Sequence, residues 1–228
     1  MKPTVLSQHI NFFQKHGFIE FEDIFSLERM NTFFEDTRNY LESKSKICFS
    51  DISFLQSYKY GRDFWRFSDK AFAIIKEKDI LEIIHLLCKK DIFRIAFDQI
   101  LKISGCDFSD INFLPNSSLE KTSSIQPLLA GVIICVKKEK EDFENHDLIF
   151  PQKEGNILII APSFVMPFQS LIKLKNSLYY LIGYAPISSQ YVENKADIHT
   201  NDCKRYGYGF GDVLKDKSHP ILQNKNKI

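Results

Sequence analysis

The run Leu128-Leu129-Ala130-Gly131-Val132-Ile133-Ile134-Cys135-Val136 carries no charged side chain at any position. A short stretch that is β-branched and apolar at both odd and even positions is the pattern of a strand covered on both faces. Outward from it, residues 147–150, 156–161, 170–174 and 177–184 read as further strands. The punctuation between them is charged or rich in Gly and Pro: Lys137 to Glu144, Pro151 to Gly155, Pro162, and Lys175-Asn176. Short strands in such close succession imply a sandwich or barrel.

The half before this block is helical. Thr4 to Lys15 reads as a helix closed by Gly17, and Phe18 to Phe21 as a strand. Ser26 offers an N-cap to a helix in which Leu27, Met30, Phe34, Thr37 and Leu41 recur at helical spacing up to about Ser43. Residues 45–67, rich in Ser, Phe and Tyr, read as loop. Helices over 69–77 and 80–89 follow, the second opening on an Asp79/Glu82 capping box. Phe93, Ile95 and Phe97 alternate with Arg94, Ala96 and Asp98, which marks a strand. From residue 104, Gly105, Pro115, Asn116 and the serines at 117, 118, 123 and 124 mark a long connection. The tail beyond Pro186 has no periodicity and is expected to wrap the molecule as ordered loop until Ile221 or Leu222. The reading is a single α+β domain over 1–228: a helical part to about 105, a strand-rich part over about 125–186, and a wrapping tail over 187–228.

Composition narrows the function classes. With 44% apolar residues and 21 Phe in 228 residues, there is material for a full core. A net charge of +1 supplies no field for phosphate backbones, and Lys137, Lys138 and Lys140 are offset by Glu139, Glu141 and Asp142, so nucleic acid is not an expected partner. No apolar run reaches the roughly 18 residues of a membrane span, and Met1-Lys2-Pro3-Thr4 opens no signal-peptide pattern. Five cysteines, an odd number with no CxxC pair, read as reduced thiols of a cytoplasmic protein.

Several short motifs, in this order, carry a resemblance. They are His9-Ile10-Asn11-Phe12-Phe13-Gln14-Lys15-His16-Gly17-Phe18-Ile19, Gly61-Arg62-Asp63-Phe64-Trp65-Arg66, Arg94-Ile95-Ala96-Phe97-Asp98-Gln99, Glu154-Gly155-Asn156-Ile157-Leu158-Ile159-Ile160, and Arg205-Tyr206-Gly207-Tyr208 through Asp212 to His219-Pro220. Together they resemble the phytanoyl-CoA-dioxygenase-like branch of the 2-oxoglutarate/Fe(II) dioxygenases. The Lys- and Ile-rich composition is also similar to that of uncharacterised chlamydial members of this group, one of them labelled a divalent-cation-dependent regulator. The resemblance implies a double-stranded β-helix, the jelly-roll barrel, preceded by packing helices. It also implies a His-x-Asp/Glu pair and a distal His holding Fe(II), with an arginine anchoring 2-oxoglutarate.

Those ligands are not where the resemblance places them. Residues 116–127, before the Leu128 strand, offer Glu120 and Gln126 but no histidine. His146 and Asp147 are adjacent, and on a strand neighbours point to opposite faces. The distal position falls in Ser163-Phe164-Val165-Met166-Pro167-Phe168, and the nearest cations to the arginine position are Lys173 and Lys175. No catalytic residue and no cofactor are therefore expected; Fe(II) and 2-oxoglutarate enter only under the alternative of an oxygenase with an unusual site. The expected role is binding of a small molecule or a protein partner near Val165, Lys173 and Tyr180. A metal-dependent regulator is a further alternative.

Other groupings are weighed against plain structure. Asp197-x-His199, with Asp202 and Cys203, has metal-like spacing, against the bland reading of turn-forming residues. Tyr58, Tyr60, Arg62, Trp65 and Arg66 could clamp an anionic ligand, against simple packing. Gly207, Gly209 and Gly211 do not form GxGxxG and read as aromatic-anchored loop.

Overall fold

The computed structural model describes residues 4–103, 117–138, 149–167 and 176–223. Helix α1, Ser7–His16, ends where Gly17 turns left-handed (φ 77°) and its N–H reaches Phe13 O. That turn feeds β1, Phe18–Phe21. Helix α2, Leu27–Ser45, starts where Ser26 Oγ accepts the Arg29 N–H, as its cap residue predicts, and buries Met30, Phe33, Thr37 and Leu41. Residues 45–67 are not all loop. Phe54–Tyr60 forms helix α3, held by a reciprocal capping box between Ser53 and Gln56. Seven residues are too few for a periodicity to show. Helices α4, Asp69–Ile75, and α5, Lys78–Cys88, follow. The expected Asp79/Glu82 box is replaced: the cap is Glu77, whose carboxylate accepts from Lys78 N–H.

The strands are β2 Ile92–Ile103, β3 Ser117–Ser118, β4 Ile125–Gln126, β5 Ala130–Lys137, β6 Ile157–Ile160, β7 Val165–Met166, β8 Ser177–Ala185, β9 Gln190–Tyr191 and β10 Ile221–Gln223, with a short helix α6, Leu119–Thr122, between β3 and β4. Six of the strands form an antiparallel sheet in the order β1-β6-β5-β8-β2-β10, and β3–β7 and β4–β9 form separate pairs. The described ladder is thus open from β1 to β10. Of the expected strand at 147–150, residues 147–148 lie outside the described residues and 149–150 are not strand; the expected strand at 170–174 lies wholly outside them.

Both faces of the sheet are covered, which is why β5, β6 and β8 read as unbroken apolar runs. One face packs Val132, Ile134, Ile157, Ile159, Ile182 and Tyr184 against Met30, Phe33, Ile74, Ile80 and Ile84 of the helices. The other, inner face packs Ile133, Cys135, Leu158, Ile160, Tyr179 and Leu181 with Phe54, Leu119, Phe150, Met166, Tyr191 and Cys203. Each large apolar side chain buried this way contributes about 1.5–3 kcal/mol. Gly183 permits the inner packing: a Cβ there would lie 2.7 Å from the Phe97 ring.

Strand β2 outruns its neighbour β10, which pairs only with Ile92 to Arg94. Its remaining edge is closed by α3 and the loop after it. Ile100 N–H donates to Gly61 O, Asp63 N–H to Asp98 O, and Lys102 N–H to Ser57 Oγ. An edge left bare would present unpaired donors to other chains; here its closure sets residues 57–66 beside the inner face.

Candidate functional site

The site grows from that edge closure. Gly61 approaches Ile100 so closely that a Cβ would lie 2.6 Å from the Ile100 side chain. Asp63 then turns left-handed (φ 57°), and Arg62 between them bridges to Gln99. The Arg62 guanidinium lies 3.8 Å from the Phe97 ring centroid, and its Nη2 is 3.7 Å from Asp197 Oδ2. Burial works against that charge, while Asp197, Tyr58, Asp63 and Cys203 together hold its pKa above the usual value.

The tail supplies the other wall. Asp197 is occupied by backbone: Oδ2 accepts from Ser124 N–H and Oδ1 from His199 N–H, both at 2.9 Å. His199 Nδ1 lies 2.8 Å from Asp202 Oδ2 and Nε2 lies 3.1 Å from Tyr58 O. Both partners are oxygen acceptors, so each ring nitrogen faces a hydrogen-bonding oxygen and not an open coordination position. Burial pushes Asp202 up, but the His199 hydrogen bond and charge, with Arg205 and Arg62, outweigh it and hold the carboxyl below its usual range. Burial raises the Tyr58 phenol to about 12 against the pull of Arg62. It also raises the Cys203 thiol to about 12, which leaves that thiol uncharged and a poor nucleophile.

Two further clusters tie the tail to β2. Arg94, 4% exposed, donates from Nη1 to Leu214 O and His219 O and pairs with Asp216. His219 Nε2 accepts from Arg66 Nη2 (3.4 Å), and its Nδ1 lies 2.9 Å from Tyr208 OH. Burial first, then the charges of Arg66, Arg94 and Arg62, lower its pKa to about 3, so it is neutral. On the helix side of β2, Asp98 Oδ2 accepts from Trp65 N–H and from Tyr180 OH, while Oδ1 is buried without a partner. Burial and the neighbouring Asp63 raise the Asp98 carboxyl to about 7, against the opposing Tyr180 and Trp65 hydrogen bonds.

Of the residues singled out in the sequence, Tyr58, Arg62, Asp197 and His199 come together here. Tyr60 packs, half-buried, against the helix-side core. Tyr180 lies on that same helix side and does not join Arg62; by strand alternation Tyr179 takes the inner face. Asp197 and His199 are neighbours but do not act as a chelating pair, and among the described residues no three His, Cys, Asp or Glu side chains are grouped to hold a metal. Lys173, Lys175, His146 and Asp147 lie outside the described residues. Sequence reasoning missed Asp98, Gln99 and His219. The available signal for the first two was the adjacent polar pair Asp98-Gln99 inside a strand that is apolar apart from these and from Arg94 and Lys102.

The segments where the resemblance expects the metal ligands do meet. β3 pairs with β7 in the register Ser117↔Met166 and Ser118↔Val165. Ser118 Oγ is buried there with no partner, Met166 is 2% exposed, and Leu119 follows into the inner core.

No protein-family model matches the chain, and no curated protein matches its sequence. Solved structures do match. The non-haem α-ketoglutarate-dependent carbocyclase SnoK from nogalamycin biosynthesis has a TM-score of 0.67 at 11% identity, over 96% of this chain and 97% of its own. This chain has the fold of the non-haem α-ketoglutarate (2-oxoglutarate) dependent enzymes. The epimerase SnoN, in complex with Fe3+, α-ketoglutarate and nogalamycin RO, gives 0.65 at 11% identity over 94% of this chain and 97% of its own. CT296 from Chlamydia trachomatis gives 0.50 at 11% identity over 81% and 97%. At such identity the likeness carries architecture, and the chemistry has to be argued from the side chains.

Proposed function

We propose that this chain is a divergent, jelly-roll member of the phytanoyl-CoA-dioxygenase-like branch that serves as a binding protein for a small molecule or a protein partner, not as an iron oxygenase. The register Ser117↔Met166 and Ser118↔Val165 carries the reading. It joins the two segments in which the ligands are expected, and what meets there is hydroxyl, thioether and alkyl. An Fe(II) site of this type needs two imidazoles and a carboxylate on one face. These residues do not fit the ion, so no step is derived through it.

What the chain offers a ligand is an apolar inner face with the largely buried guanidinium of Arg62 at its edge. Membrane anchoring finds no support: among the described residues no helix is long and apolar enough to cross a bilayer. A cytoplasmic setting goes with the proposal, since the described cysteines Cys48, Cys88, Cys135 and Cys203 are all free thiols.

The test is metal retention and turnover. Purified protein is loaded with Fe(II), desalted, and assayed with 2-oxoglutarate and oxygen. The expected result is substoichiometric iron and succinate formation no faster than in the metal-free control. Stoichiometric iron, or Fe(II)-dependent succinate, would overturn the proposal.

A further inference from the structure

We propose that Arg62 is a carboxylate anchor, and that the site takes a small organic acid carrying a hydroxyl or amino group beside its carboxylate. The inference rests on the binding-protein reading and names the ligand class for it.

Arg62 is nine-tenths buried, its side chain keeping 10% exposure. Stacking on Phe97 covers the flat face of the guanidinium and leaves its in-plane N–H edges for other partners. A guanidinium has five such donors. Among the described residues none of them makes a hydrogen bond. The ionic partner, Asp197, stands 3.7 Å away, beyond hydrogen-bond reach. Asp197 is held back because Ser124 N–H and His199 N–H each hold one of its oxygens. The fork is mostly out of water and has no protein acceptor among the described residues, and a bidentate carboxylate entering from its remaining exposed edge would supply one.

Two more polar atoms beside Arg62 are buried without partners: Gln99 Oε1 and Ser124 Oγ. Gln99 faces Arg62 across an antiparallel bridge, so the two side chains leave the backbone on the same side. Its Nε2 is committed to the carbonyls of Ser57, Tyr58 and Ile100, which fixes the amide orientation and leaves Oε1 as the free acceptor. Ser124 is one hydrogen bond from Asp197 and can donate or accept. A donor fork, an acceptor and a hydroxyl together complement a carboxylate whose neighbouring carbon bears an O–H or N–H. That group donates to Gln99 Oε1 while the carboxylate lies in the plane of Arg62. A tetrahedral anion that carries no proton, such as sulfate, would leave Gln99 Oε1 unsatisfied.

The experiment follows thermal unfolding through Trp65, the chain's one tryptophan, with lactate, propionate and sulfate as probes at millimolar concentration. Lactate is expected to raise Tm saturably, propionate less, and sulfate not at all. Arg62→Gln should abolish the lactate shift. Arg62→Lys, which keeps the charge and loses the fork, should weaken it by about 10-fold. Ser124→Ala should weaken the lactate shift and leave propionate unchanged; with Arg62→Lys it carries the test if Arg62→Gln does not fold. Equal lactate shifts in wild type and Arg62→Lys, a response to sulfate alone, or no response to any probe would overturn the assignment. Iron-dependent succinate formation, by contrast, would remove the binding-protein reading and leave the Arg62 result standing.

Discussion

At the β3–β7 pair, Ser117, Ser118, Val165 and Met166 meet without one ionisable side chain; along β2 and the loop and tail that cover it, Arg62, Arg94, Asp98, Asp197, His199 and His219 hold ionisable groups largely out of water. The first region is where the sequence resemblance expects the metal ligands, and here Ser118 and Met166 are buried while Val165 stays half exposed. The second is where this chain has concentrated its charge. Buried charge costs more than it returns unless each group finds partners, so the junction governs how stability responds to pH. The pair should answer only to volume.

The largest expected effect tests the first half of that contrast. Met166→Ala leaves a hole in the inner core and should cost about 3 kcal/mol in urea unfolding, with the shape of the stability–pH curve unchanged. A changed pH profile would show that ionisable chemistry remains at β3–β7. Next, Arg94→Met removes the donors to Leu214 O and His219 O and should cost about 2 kcal/mol, with faster proteolysis of the tail after Tyr208. An unchanged urea midpoint would show that the tail is held some other way.

The pH dependence sharpens the contrast further. Asp98, raised to about 7, contributes stability that is complete below the ordinary carboxyl range and is lost as pH rises through 7. His219, lowered to about 3, does the reverse: its contribution is complete above the ordinary imidazole value of 6.5 and is lost as pH falls toward 3. Between about pH 4 and 6.5 the two oppose, and wild-type stability should be nearly flat. Asp98→Asn leaves His219 alone, so stability should then rise with pH across that window, by up to about 1.4 kcal/mol per unit. An equally flat curve in the variant would dismiss the opposition. The smallest effect belongs to the rim: Arg205→Ala, which removes an exposed pair with Asp202, should change stability by less than about 0.5 kcal/mol.

Much of the architecture was legible because local chemistry repeats itself. Ser26 and the spacing of Met30, Thr37 and Leu41 predict α2 to within two residues of its end, and Gly17 predicts the turn into β1. The site was less legible. Alternation in β2 placed Arg94 and Asp98 on a polar face, yet both faces of that strand are buried, and period two carries no information when neither side meets water. Asp197-x-His199 had chelating spacing, but its carboxylate turned to nearby backbone N–H groups, which spacing alone does not reveal. Tyr180 and Tyr179 are indistinguishable in sequence; the register of β8 against β2 and β5 chose which one faces inward.

By itself, then, the chain of residues determined many of the elements, their order, the absence of histidine from residues 116–127 and the absence of imidazole and carboxylate from residues 163–168, since these follow from neighbours along the backbone. Tertiary structure alone decided that Arg62 would lie on Phe97 with Asp197 just out of reach, and that Asp98 would be sealed beside Tyr180. Such contacts join segments more than a hundred residues apart in some cases, and their energies depend on burial, which only the packed sheet creates.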